Sequence, residues 1–301
     1  MFRIDTLARL TLSTGLVATL ALVPLAGCAS SGNASQDAAP AAEETNTTKT
    51  TEANETTEVA PVWVATTYKL SQEFSDGSTS EYSSAYELDE AGNMLKEVDT
   101  SDSEDDSERL DYTYSYDEDG WLTKVEMGDE TWDYELEKDV QGRVVTEKSE
   151  DFTKEYSYNE QGFVSETVST SIAYTVDENG DKVEGSEEAM ATKVTYDENG
   201  FTLARTRTFK GGKAEMVYAY EYGDDGLPVS YTATTKNYDS DGNEIADSET
   251  TVSGTFEYDE HGNIVKRVIE DDLGTSTYEY TYVEIKNPSQ AVRIQGHTKN
   301  V

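Results

Sequence analysis

The chain has 301 residues, with 62 acidic against 23 basic side chains and a formal net charge of −39. A charge of that sign and size repels nucleic-acid phosphates and anionic lipid headgroups, and leaves cationic partners, metal ions or plain solubility as its use. One cysteine rules out a disulfide framework, and two histidines, His261 and His297, are poor material for a nucleophile with an oriented base.

At the amino terminus, Arg3 and Arg9 precede an uncharged run over residues 10–25 that contains Leu16, Val17, Leu20, Leu22 and Val23. Charged region, apolar region and small-residue end are the parts of a secretory signal. The run of 16 residues falls short of the ~20 that a spanning helix requires. It ends in Leu25-Ala26-Gly27-Cys28, which resembles the bacterial lipobox. The resemblance implies removal of residues 1–27, a diacylglyceryl group on the sulfur of Cys28, and display on the extracytoplasmic face of the cell membrane, held by lipid alone.

Residues 28–61 are mostly Ala, Ser, Thr, Asn, Gln and Glu with hardly an aliphatic side chain, which predicts a disordered tether. By the ~5–6 Å × √n rule such a tether spans roughly 30 Å. Over residues 62–286 the texture becomes an alternation of aromatic and polar residues, long enough for a single all-β domain. Residues 287–301 read as a short polar tail.

Within the domain a short unit recurs. Tyr116-Asp117-Glu118-Asp119-Gly120-Trp121, Tyr158-Asn159-Glu160-Gln161-Gly162-Phe163, Tyr196-Asp197-Glu198-Asn199-Gly200-Phe201 and Tyr258-Asp259-Glu260-His261-Gly262-Asn263 are near-copies, and looser ones end at Gly92, Gly142, Gly180, Gly226 and Gly242. Asp or Asn opens a type I turn by bonding its own backbone two residues on, and glycine supplies the positive φ that closes it with a bulge. Flanking strands alternate with period two, as in Tyr112, Tyr114, Tyr116 and again Tyr278, Tyr280, Tyr282, so one face turns inward.

These windows resemble the YD-repeat (Rhs-type) family, whose unit is a Tyr-Asp pair, two variable residues, a glycine and a short apolar stretch. The family's Arg after the glycine stands only at Arg143. The resemblance implies an architecture of repeated β-hairpins and no catalytic residue, and the wealth of tyrosine on the inward faces predicts an elongated, curved antiparallel sheet thin enough to leave them partly wet. Whether the sheet stays open, closes into a barrel or folds into two layers does not follow. With 20 Tyr against 7 Phe, the inward face must keep many phenolic hydroxyls near water or a partner.

No spacing singles out catalytic carboxylates, and no cofactor is expected. Two acidic runs place oxygen ligands at alternating positions, as calcium prefers. Counting from Asp177 a twelve-residue loop reaches Glu188 but has Lys182 where glycine is needed; counting from Asp239 it has Glu244 there and ends at Thr250. Turn chemistry explains both runs, so no metal site is assigned. Trp63, Trp121 and Trp132 are candidates for stacking on a ligand, against the alternative that they are core. The expectation is a non-enzymatic binding, adhesion or scaffolding module with an unidentified envelope ligand. Its alternatives are a glycan-binding envelope protein and a half-barrel lipid carrier, the latter wanting an aliphatic inner face.

Overall fold

The computed structural model describes residues 62–100, 112–128, 130–173, 183 and 185–298. The signal segment, Cys28, the tether and the acidic run 177–181 lie outside the described residues. Among the described residues seventeen strands follow one another: β1 Val62–Phe74, β2 Thr79–Leu88, β3 Met94–Asp99, β4 Tyr112–Tyr116, β5 Leu122–Met127, β6 Glu130–Asp133, β7 Glu135–Lys138, β8 Val144–Ser149, β9 Phe152–Tyr158, β10 Val164–Ala173, β11 Glu188–Tyr196, β12 Thr202–Phe209, β13 Gly212–Tyr222, β14 Pro228–Asp239, β15 Thr250–Tyr258, β16 Ile264–Asp271 and β17 Gly274–Ile285. Among the described residues one short helix, α1, spans Gln290–Gln295.

Strands adjacent in sequence pair antiparallel, and β1 pairs with β17 from Val62↔Ile285 to Phe74↔Gly274. β6 and β7 lie on one stave interrupted at Tyr134: β6 pairs with β5, β7 with β8, and the Tyr134 N–H still donates to Thr123 O at 2.9 Å. Of the three arrangements open to the sequence, the sheet therefore takes the barrel. Among the described residues this near-closure leaves unpaired edge at the interrupted stave, along β6 toward β8 and along β7 toward β5.

Seven hairpin turns at one end share one geometry. In the β4–β5 turn, Gly120 N–H donates to Asp117 O at 3.1 Å and Asp117 N–H to Trp121 O at 2.9 Å. The Asp117 carboxylate accepts from the N–H groups of Asp119 and Trp121 at 3.0 and 2.9 Å, and Gly120 sits at φ +84°. Just before each turn the register slips, so that Tyr116 faces Leu122, Tyr196 faces Thr202 and Tyr258 faces Ile264. The third residue after the glycine is left as an outward bulge, which explains the exposed Leu95, Leu203 and Val229.

A recurring tyrosine ties neighbouring repeats together. The hydroxyls of Tyr220, Tyr258 and Tyr282 donate to the carbonyls of Thr202, Pro228 and Ile264 at 2.7–2.8 Å, and Tyr158 does the same to Val144. Each acceptor stands two residues after a turn glycine, where the bulge interrupts the ladder. A buried phenol without such an acceptor would cost roughly 1–3 kcal/mol.

Tyr114, Tyr156, Tyr218, Tyr231, Phe256 and Tyr278 are buried on the inner face, while Ser253, Thr255, Glu257, Glu279 and Thr281 are exposed on the outer one. The outward pattern is polar, the reverse of the apolar outer band of a barrel that spans lipid.

Residues 287–301, expected as a polar tail, are instead structured as far as Thr298. Ser289 caps α1, its Oγ accepting from Val292 N–H at 3.2 Å, and Ala291, Val292 and Ile294 are buried. Three apolar residues on little more than one turn are too few to show a helical period in sequence. Their burial against the barrel, not helix propensity, holds the helix.

Candidate binding site in the barrel lumen

The two ends of the barrel are built differently. At the repeat-turn end the C-terminal segment crosses the opening from turn to turn. Ser289 N–H donates to Ala91 O at 3.0 Å, Ala291 N–H to Asp119 O at 3.1 Å and Gln290 to Gln141 O at 3.4 Å. His297 then stacks on Phe163 with centroids 3.9 Å apart and contacts Glu198 O at 2.8 Å. Val62 starts β1 at this same end, paired with Ile285. The C-terminal segment thus occupies this end, and barrels of about 16–18 strands are wide enough to leave an aqueous channel inside.

What lines the lumen follows from the repeat. Beyond the bulge, the fifth residue after each turn glycine points inward: Glu97, Val125, Glu147, Thr167, Arg205, Tyr231 and Arg267. Opposite charges fall on opposite sides, with Glu97 and Glu147 on β3 and β8 and Arg205 and Arg267 on β12 and β16. Glu97 accepts from Tyr114 Oη at 3.3 Å; burial raises its pKa against the opposing hydroxyls of Ser84 and Tyr114. Glu147 accepts from Tyr156 Oη at 2.7 Å. Burial, and then the Glu147 charge, push the Tyr156 phenol far above its usual range.

On the basic side, the Arg267 guanidinium lies 4.2 Å from the ring centroid of Tyr278. Burial is the largest cause that raises the Tyr231 phenol to about 12, against which the charges of Arg267 and Arg205 pull. Lys154 on β9 points inward beside Tyr156, its Nζ 4.9 Å from that ring; burial lowers its pKa and Glu147 opposes the shift. Lys154, Glu147, Arg205 and Arg207 all keep some accessible surface although they face the barrel interior, as side chains on a solvated lumen do.

The three tryptophans do not form one platform. Trp121 is 1% exposed, packed among Val144, Tyr156, Val164, Ala291 and Ile294, so neither face of its indole is open to a ligand. Trp63 stacks on His261 at 4.0 Å at the capped end, and Trp132 is half-buried on β6 opposite Val125. Both histidines thus lie at the capped end. In the second acidic run, the Asp239 carboxylate accepts from the N–H groups of Asp241 and Asn243 and from Asn243 Nδ2, which commits it to the turn. Among the described residues no group of three or more His, Cys, Asp or Glu is placed to hold a metal ion. Sequence reasoning did not single out Glu97, Glu147, Lys154, Arg205, Arg207 or Arg267. The signal for Glu97, Glu147, Arg205 and Arg267 was the fixed count from the repeat glycine, which does not reach Lys154 or Arg207.

No family model matches the chain, and no curated protein matches it either. Among solved structures it is similar to a porin-like protein from Bacteroides uniformis, at 12% identity over 73% of this chain and 98% of that one, with a TM-score of 0.31. It is also similar to TcdB2-TccC3-TEV, at 14% identity and a TM-score of 0.28, and to TcdB2-TccC3 without its hypervariable C-terminal region, at 16% and 0.27. The matches cover 76% and 78% of this chain but only 12% and 13% of those two.

Proposed function

We propose that the protein is a non-enzymatic binding module of the bacterial cell envelope, anchored through lipid on Cys28, which takes a ligand into the barrel lumen through the end facing away from the membrane. The observation that carries this reading is the sidedness of the barrel. The chain enters at Val62 and is capped by residues 289–298 at one and the same end. A tether attached there turns the other end outward. The lipobox resemblance supplies the anchor, and the YD-repeat resemblance supplies an architecture that carries no catalytic machinery of its own. A lumen lined by Tyr, Arg, Glu, Ser and Thr favours a polar ligand such as a glycan over an acyl chain.

The test uses the full chain with Cys28→Ser, which should leave the membrane fraction and lose its acyl label. In that background an environment-sensitive fluorophore is placed on Ser169→Cys, facing the lumen, or on Ser157→Cys, facing outward. Soluble glycans, peptides and fatty acids are then titrated. A ligand that shifts the inner reporter and not the outer one is expected. Ligands that move only the outer reporter would place binding on the outer wall and overturn the reading.

A further inference from the structure

We propose that the lumen wall formed by β9 to β12 binds an elongated, hydroxyl-rich anion, namely an acidic oligosaccharide; this rests on the lumen-binding reading above. The pairing register places Lys154 opposite Ser169, Ser169 opposite Thr192, and Thr192 opposite Arg207. The four lie in one row across four strands, on the face that also buries Tyr156 and Val194. With strands about 4.8 Å apart, the backbone positions of Lys154 and Arg207 are separated by about 14 Å, the length of a trisaccharide. In the next row toward the cap stand Tyr156, Thr167, Val194 and Arg205.

Charge distribution indicates what is missing from this wall. The outward lysines Lys69, Lys124, Lys193, Lys213 and Lys266 are paired with Glu81, Glu126, Glu166, Glu215 and Glu257 at 2.5–3.3 Å. Among the described residues no carboxylate lies within ion-pair distance of Arg205 or Arg207, in a chain that carries 62 acids. Lys154 faces Glu147 in register, a carboxylate that also accepts from Tyr156 Oη, so the cations of this wall that lack a counter-charge are the two arginines. A cation partly withdrawn from water without a counter-charge is costly, and a bound anion relieves that cost. Guanidinium groups take carboxylate or sulfate in two parallel hydrogen bonds, and Ser169 and Thr192 between the cations suit sugar hydroxyls. Glu97 and Asp99, on the far wall, repel the same ligand and so favour one orientation.

The experiment titrates the full Cys28→Ser chain with tri(galacturonic acid), maltotriose and sodium sulfate by calorimetry, at low and moderate salt. The acidic trisaccharide should bind, more weakly as salt rises. Its affinity should fall at least about tenfold in Arg207→Gln and in Lys154→Gln and further in the double variant. Lys193→Gln, which removes an outward cation, should leave it unchanged. Equal binding of maltotriose, equal affinity for sulfate alone, or an unaltered double variant would each overturn the proposal. If maltotriose or a fatty acid moves the Ser169→Cys reporter while tri(galacturonic acid) does not, the anionic class falls and the lumen reading stands.

Discussion

The repeat turn occurs at both ends of the barrel, and its two settings differ in everything but backbone geometry. Between β14 and β15, at the open end, Gly242 N–H donates to Asp239 O at 3.0 Å and Gly242 has φ +83°; a Cβ there would meet nothing within 4 Å. Between β11 and β12, at the capped end, Gly200 also has φ +83°, but a Cβ would stand 1.8 Å from the His297 carbonyl oxygen. At Gly120 it would stand 2.2 Å from Ser289 Oγ. The Asp-x-x-Gly motif thus sets the hairpin in either place. What packs on the hairpin decides how much depends on it. At the capped end the C-terminal segment presses on Gly120 and Gly200, while Gly226 there is as open as Gly242.

The strongest way to test that contrast is to remove the C-terminal segment. A chain ending at Asn287 loses the buried Ala291, Val292 and Ile294, and at about 1.5–3 kcal/mol for each large apolar side chain the barrel should be destabilised by roughly 3–5 kcal/mol. Trp121, packed under that helix, should become accessible and its emission should shift to longer wavelength. Denaturant unfolding with tryptophan fluorescence reads both effects. An unchanged midpoint and spectrum would mean that the segment lies on the barrel without supporting it.

A finer comparison sets Gly200→Ala against Gly242→Ala. Both force an L-residue into the left-handed region, at about 1–2 kcal/mol. Only Gly200→Ala must also displace the backbone at His297, so its cost should reach about 3 kcal/mol or more, as for other over-packed sites. Equal losses of melting temperature would erase the distinction between the ends.

Much of the fold was legible because turn and strand signals are local. The Tyr-Asp-x-x-Gly windows specify hairpins, and Tyr112, Tyr114, Tyr278 and Tyr280 do face inward as their alternation implies. Closure was not legible, since it depends on β1 meeting β17 across the whole domain. The lumen charges were hidden for a different reason. Each turn is followed by a bulge that shifts the alternation by one residue, so strict period two counted from the glycine would send Arg205 and Arg267 outward. The cap was hidden because α1 has a single turn and a half of helix and takes its stability from the barrel beneath it.

Acid sensitivity should also differ between the ends, though by the smallest amount. Asp259, at the capped end, accepts from the N–H groups of His261 and Asn263 and from Asn263 Nδ2, each at 2.8–2.9 Å. Burial pushes its pKa up, but the Asn263 amide, those N–H groups and the His261 charge outweigh burial and leave it lowered. Asp239, at the open end, is lowered by Asn243 first and by Asp241, with little burial to oppose. A carboxylate whose folded pKa is depressed contributes stability that is complete above the unfolded value near 3.9 and is lost as pH falls through the folded value. Asparagine keeps the acceptor and removes the titration, as Asn159 already does between β9 and β10. Asp259→Asn should therefore flatten the fall in stability as pH drops below about 4, by less than about 1 kcal/mol after solvent screening. Asp239→Asn should flatten it too, without touching the cap. The comparison is read from unfolding midpoints at several pH values, combined with the chain ending at Asn287. If the Asp259→Asn effect survives that truncation unchanged, the turn alone sets the pKa. If it shrinks, the capped end is coupled to the segment that closes it.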